Sequence, residues 1–578
     1  MRGCRTELPR RRVAAWLIAA ALLGIASAAA QPISLTPTQG PAPSPAPVVT
    51  PTPSTAGGDA IQIAPLQPVD MSWIGRLDAS KGGFPHDMWN GASRDFVTAA
   101  LSQLQPVASP ELASLARRLL LSDAIAPNSD TAGAGATGAD LLSARVDRIY
   151  ALGFVADGLV LIDSLPDSAV TETIDRDRVE LRFAANDTAG ACRDVNDRVS
   201  RYPGAWWARA LIACQALTDD FAKAALGQSL LADQKAPPDP EFDTLIRLLS
   251  QRRPARMARL GDPTPLRVAL LAAAKGPLPA AAVTVADPAA LAGYANNGAV
   301  PPADRLAAAE RAEALGVLPP QALAALYDAI SFKPEEVARA RRAVRLPADA
   351  RDRALLYALA KSGADFTLRM TALAALAADA EKRGAFVPMA HVLAPTLLDI
   401  PSVNVDPKFA GIAARILLAA GNTDAAKAWI TASGDKAALL LSAIAQPGVP
   451  HPDAGLVRDA AMASSATAAA ARADLVYSLL TALGVDPTIL IDLAPAALAA
   501  PPAPGALPND ALWDSQQRAA QNGQLGQAVL ATLLIAESNG HLTAEPLLLG
   551  RAVAGLRAVG LDSDAHALAL EAALDAGL

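Results

Sequence analysis

Between Asp140 and Asp233 one pattern recurs at a fixed spacing. Gly153, Asn186 and Asp219 stand 33 residues apart, and so do the small residues Gly158, Ala191 and Ala224. Each pair of turn residue and small residue lies inside a helix-length run: "RVDRIYALGFVADGLVLI", "RVELRFAANDTAGACRDV" and "RALIACQALTDDFAKAAL". A period of this length belongs to a stacked helical hairpin, whose units bury their apolar faces only against their neighbours. The spacing therefore predicts an all-α chain built as an α-solenoid. Later hairpins recur at uneven intervals and are divided by proline, so the solenoid is expected to be irregular.

Composition agrees with that class. Hydrophobic residues make up 52% of the 578 residues but aromatics only 4%, and much of the apolar share is alanine. Alanine is the best helix former and the smallest residue that still packs. Period-two runs of β-branched residues are scarce, so no sheet is expected. The 46 prolines concentrate between apolar runs, where they separate helices.

The N-terminus predicts an export route. "PRRRVAAWLIAAALLGIASAAAQ" joins a basic Arg10–Arg12 to an apolar run from Val13 to about Ile25, and Ala28-Ala29-Ala30 meets the small-x-small rule before Gln31. Residues 1–30 are read as a secretory signal peptide, the alternative being an uncleaved anchor with a short apolar run. Residues 31–60 form a Pro-rich linker that favours extended polyproline II and cannot build a core. Residues 1–30 hold five arginines against Glu7 alone, a net of +4, so their removal takes the formal charge from −7 to −11. That balance argues against nucleic acid or an anionic membrane surface as the main partner, and the mature form is expected to have no membrane span.

Residues 61–125 carry Trp73, Phe84, Trp89 and Phe96 in a chain otherwise poor in aromatics. They are read as a helical cap that covers the open face of the first repeat. The alternative is a docking site on Trp73 and Trp89, since tryptophan is favoured in interface hot spots. The repeats occupy 139–250 and irregular helical hairpins 255–495. A Pro-rich break at 495–508 precedes C-terminal hairpins at 509–578.

The three regular hairpins also resemble tetratricopeptide repeats. The first supplies Val146, Ile149, Gly153, Gly158, Ile162 and Leu165 at the characteristic positions; the second supplies Val179, Asn186, Ala191 and Val195, and the third Ile212, Asp219, Ala224 and Leu231. Arg182, Arg198 and Gln215 depart from the pattern. Two later hairpins match it, with Ala414, Leu417, Gly421, Ala426 and Ile430, and with Val553, Leu556, Gly560, Ala565, Ala569 and Ala572. Tetratricopeptide geometry implies a concave face bearing Asp140, Asp147, Tyr150, Arg176, Glu180, Phe183, Trp206 and Arg209, a mixture of charge and aromatic residues suited to an extended peptide. Ordinary helix packing with solvated charges accounts for the same residues. In this register Cys192 lies on the second helix of repeat two and Cys214 on the first helix of repeat three. An exported chain meets an oxidising compartment, so they are read either as a disulfide or as two small buried apolar residues.

"GGFPHDMWNGASR", "ASPELASLARRLLLSDA" and "GLDSDAHALALEAAL" resemble a group of exported, alanine-rich alphaproteobacterial proteins, some labelled antifreeze glycopeptide polyprotein. The tandem Ala-Ala-Thr repeats of true antifreeze glycopeptides are absent from this chain, and the resemblance implies no catalytic residues.

Motifs for chemistry are sparse. The sequence has no G-x-x-x-x-G-K-[ST], H-E-x-x-H or G-x-S-x-G, and its five histidines are scattered without a pair at helical spacing. No metal or cofactor is expected. Glu537-Ser538 resembles the catalytic Glu-Ser of soluble lytic transglycosylases, which would imply a single acid of raised pKa. The other reading is the end of a helix before Asn539-Gly540, and only 40 residues follow Ser538. Taken together, the sequence favours a non-catalytic, exported helical-repeat scaffold that binds a protein or peptide in the periplasm. A cell-wall-acting enzyme using Glu537 and a self-assembling envelope protein are the alternatives.

Overall fold

A computed structural model of the chain describes residues 71–578 apart from 128–138, 362–364, 404, 449–451, 463–465, 499, 501–509, 539–540 and 543–544. The expected signal peptide and Pro-rich linker lie outside the described residues, as do the Gly/Ala/Thr segment 131–138 and most of the Pro-rich break. Among the described residues the fold is all-α, with 29 α-helices. The β-structure among them is one short antiparallel pair, Glu537–Ser538 with His541–Leu542, and two isolated bridges. None of the helices is long and apolar enough to cross a membrane.

The 33-residue period becomes three hairpins: Ala139–Ala151 with Val155–Asp163, Glu172–Ala184 with Thr188–Arg198, and Ala205–Leu217 with Phe221–Asp233. The recurring turn residues all take the left-handed conformation, with φ of 82° at Gly153, 59° at Asn186 and 62° at Asp219. That conformation lets the next N–H reach back over the finished helix: Phe154 to Ile149 O at 3.0 Å, Asp187 to Arg182 O at 2.9 Å and Asp220 to Gln215 O at 2.8 Å. Asn422 and Leu561 close the two later hairpins the same way, after Gly421 and Gly560. Asp187 and Asp220 then cap the following helices through their carboxylates.

Arg182 and Arg198, which break the apolar pattern, are held by carboxylates. Arg182 bonds Asp194 at 2.6 Å and Asp187 at 3.0 Å, and Arg198 pairs with Asp175. Asp175 also takes the Tyr202 hydroxyl at 3.0 Å and Arg182 reaches Asp163 of the first hairpin at 3.4 Å, so a charged lattice centred on repeat two takes the place of apolar contacts there. Cys192 and Cys214 form a disulfide across the same layer, joining Thr188–Arg198 to Ala205–Leu217.

Beyond the third hairpin the chain turns back. Pro265–Ala273 and Pro288–Asn296 pack onto Glu172–Ala184, on the inner side of the repeats. Further on, Phe386–Leu398 is apolar on nearly every side and sits among Pro302–Ala314, Pro320–Asp328, Phe366–Lys382, Pro407–Ala419 and Asp562–Asp575. Ala466–Ala482 packs on Pro546–Ala558, so contacts run across the Pro-rich break and the C-terminal hairpins are not a detached unit.

The N-terminal segment does more than cap the first repeat. Pro110–Leu121 packs against Ala139–Ala151 on one side and against Leu525–Ala536 and Asp562–Asp575 on the other. Gly526 allows this approach: a Cβ there would lie 2.7 Å from the Trp89 ring and 2.8 Å from Met88 O. We expect Gly526→Val to lower unfolding stability by about 1–3 kcal/mol, read from the denaturant midpoint. Cys192→Ser is expected to cost about 2–4 kcal/mol under oxidising conditions and little in the presence of a reductant.

Candidate functional site

The concave face expected of the repeats is largely occupied by the chain itself. Glu180 is 2% exposed and its carboxylate accepts the Leu266 N–H at 2.9 Å. Phe183 is equally buried, against Pro265 and Val268. Tyr150 donates its hydroxyl to Asp287 at 2.5 Å. Glu180, Phe183 and Tyr150 are therefore not open peptide contacts. The physical reason is that Pro265–Ala273 and Pro288–Asn296, largely apolar helices of the same chain, bury their own surface on this face of Glu172–Ala184 and supply a partner to its Glu180.

The remaining groove residues form a partly open strip. Arg176 is exposed and lies 5.0 Å from the centre of the Trp206 ring. Trp206 meets Trp207 edge-on at 4.8 Å, and Arg209 donates to Pro237 O. Asp140 is exposed, and half-buried Asp147 pairs with its neighbour Arg148 at 2.6 Å. Of the two tryptophans weighed for docking, Trp73 is 43% exposed, while Trp89 is buried against Gly526 and is removed as a docking residue.

Burial under the returning helices alters the acids there. Burial pushes the Glu180 carboxyl up to about 7. The same cause, with the Asp147 carboxylate beside it, pushes Asp177 up to about 8. Asp287 is raised as well, chiefly by burial.

Three other features stand apart from the expected groove. Glu537 accepts the Gln105 N–H at 3.4 Å and is pushed up to about 7 by burial. Its cleft is walled by Leu104, Val107, Leu112, Phe154 and Leu533 and contains no other acid. Among the described residues no group of three or more His, Cys, Asp or Glu side chains is arranged to hold a metal ion.

The second feature is the helix Pro334–Arg342, none of whose residues is buried. It stands beside a cavity of about 290 Å³ lined by Phe332, Arg339, Arg345, Leu346, Arg351 and Leu355. Arg351 lies over the Phe332 ring at 4.9 Å and bonds Glu336 at 3.4 Å. The guanidinium groups of Arg339, Arg341, Arg342 and Arg345 have no ion-pair or hydrogen-bond partner among the described residues. The short sequence "ARARRAVRL" carried this signal, but a charge run is ordinarily a solvated helix face, and only the absence of burial and the adjoining cavity distinguish it.

The third is a cavity of about 750 Å³ between the turns of the first two hairpins, Pro110–Leu121 and the end of Pro302–Ala314. Its walls are mostly apolar, with Glu313, His391, Asn186, Asn296 and the Arg117–Asp157 pair as the polar groups. Gly153 is needed at its edge twice over: its φ is +82°, and a Cβ would come within 2.7 Å of Pro288. No periodic or motif signal pointed to it, because its lining comes from six separate stretches of chain.

No family model, curated protein or solved structure matches the chain.

The raised acids under the returning helices set the pH response of this packing. Their folded-state values lie above those of the unfolded chain, so their contribution is fully present below about pH 4 and is lost as pH rises through 7 and 8. Stability is therefore expected to fall between about pH 5 and pH 8, read as the denaturant midpoint. Glu180→Gln keeps an acceptor for Leu266 and is expected to make that decline shallower; a profile identical to the parent's would remove Glu180 from this role.

Proposed function

We propose that this protein is a non-catalytic, exported helical-repeat scaffold that binds a protein or peptide partner in the periplasm. The observation that carries the reading is the unburied arginine-rich helix Pro334–Arg342 beside its apolar-floored cavity. Arg339 and Arg345, without carboxylate partners, line the cavity with Phe332, Leu346 and Leu355 beside Glu336 and Asp352, and Arg341 and Arg342 lie on the same unburied stretch, which suits an acidic segment with one or two apolar anchors. In a chain of formal charge −7, a local cluster of cations gives a partner a defined point of approach. Export is supported by the basic, apolar and small-x-small succession at the N-terminus, and by the Cys192–Cys214 bond, which persists in an oxidising compartment.

Crosslinking with mass spectrometry in the native cell is expected to join residues 333–351 to one recurrent partner. A chain carrying Arg339→Ser, Arg342→Ser and Arg345→Ser is expected to lose that partner at least tenfold, and binding by the parent is expected to weaken with added salt. Undiminished recovery with the triple variant would sink the assignment.

A second reading rests on Glu537, whose carboxyl is raised to about 7, the property a single-acid glycosidic catalyst requires. Release of soluble fragments from peptidoglycan by the pure protein, abolished by Glu537→Gln, is the outcome that would put this reading first.

A further inference from the structure

Two glutamates one turn apart on Pro302–Ala314 have opposite circumstances. Glu310 accepts both arms of Arg353, at 2.8 and 2.7 Å, and the Tyr327 hydroxyl at 2.7 Å. Glu313 is 5% exposed, yet its carboxylate takes no hydrogen bond from any described residue. An acid this deep in the fold, its carboxylate open to the cavity and to no protein donor, calls for a reason beyond packing. Glu313 also lines the 750 Å³ cavity, and the apolar walls nearest it come from the first hairpin and from 317–320.

None of the cations near this cavity is available to Glu313. Arg117 is committed to Asp157 through two bonds of 2.7 and 2.9 Å. Arg383 bonds Asp379 at 2.8 Å, and Arg353 belongs to Glu310. The His391 ring, also in the lining, is held below its ordinary value by burial and stays neutral. The cavity size falls within the range of small-molecule sites, and its composition is theirs as well: apolar walls with a few polar groups.

We propose that this cavity binds an organic amine with an apolar body, the ammonium group against Glu313 and the hydrocarbon along Phe154, Leu159, Val160, Val317 and Leu318. The match is one of charge and surface. An acid with no protein partner receives a cation, and an open apolar wall, on which Val160 is 44% exposed, is covered. This site is separate from the arginine helix, so its fate does not decide the protein-binding reading.

Binding also displaces a proton. Burial and the neighbouring Glu310 carboxylate push Glu313 up to about 8, against the weaker pull of Arg383. At neutral pH the free site is therefore protonated, and an arriving ammonium favours the carboxylate. Uptake is expected to release close to one proton at pH 7, and affinity to rise about tenfold per unit well below pH 8, about fivefold from pH 7 to 8, and to level off above it.

Octylamine, 1-octanol and octanoate are the probes, titrated calorimetrically into the full mature protein in buffers of different ionisation enthalpy. Octylamine is expected to bind at least tenfold more tightly than 1-octanol, with proton release, and octanoate not to bind. Glu313→Gln keeps the side-chain shape and removes an unpaired acid, so it is expected to fold at least as well as the parent. It should erase both the preference for the amine and the proton release. Val160→Trp, which leaves Glu313 in place and fills the apolar wall, is expected to abolish binding of octylamine and 1-octanol alike. The proposal is overturned if octylamine fails to bind at millimolar concentration, binds no better than 1-octanol, or binds Glu313→Gln as it binds the parent. It is equally overturned if a lysine-bearing peptide binds through Glu313 while octylamine does not.

Discussion

Glu571 joins the two ends of the described chain. It lies on Asp562–Asp575, is 2% exposed, and accepts the Ser109 hydroxyl at 2.9 Å and the Glu111 N–H at 3.3 Å. Those donors belong to the start of Pro110–Leu121, so a carboxylate more than 450 residues away in sequence completes the cap of an N-terminal helix. Burial, with Asp575 and Glu111 nearby, raises its pKa well above the ordinary carboxylate range. Arg118 bonds Asp564 at 2.5 Å on the same helix pair, and Gln524 reaches Gly91 O at 2.8 Å. Stacking alone would leave the first and last hairpins each with an open face; this contact lets each cover the other.

That closure changes what the repeats can do. A solenoid of helical hairpins ordinarily offers its inner face to a partner. In this chain the inner face of the second hairpin is covered by Pro265–Ala273 and Pro288–Asn296, with Glu180 and Asp287 as the polar fastenings. The accessible features then lie elsewhere: on the Arg176–Trp206 strip, on the arginine helix, and in the cavity that holds Glu313. The functional proposals accordingly rest on groups that the fold leaves unsatisfied or unburied, since satisfied groups are explained by stability alone.

Much of the local architecture was legible beforehand. The turn at Gly153, Asn186 and Asp219 could be read because a left-handed residue ending a helix favours glycine, asparagine or aspartate. The layer shared by Cys192 and Cys214 followed from the register of the repeats. The Arg182 and Arg198 departures could not be interpreted, since their carboxylate partners lie on other helices. The choice between cap and docking site could not be made for Trp89 for a similar reason: its partner, Gly526, is more than 400 residues away in sequence.

The sequence by itself determined the helices, their caps and turns, and the pairing of neighbours, because those depend on contacts within about 35 residues. Tertiary structure alone decided which faces stayed open. The burial of Glu180, the closure through Glu571 and the isolation of Glu313 all arise where distant segments meet. A residue's own neighbourhood in sequence carries no record of which distant surface will exclude water from it.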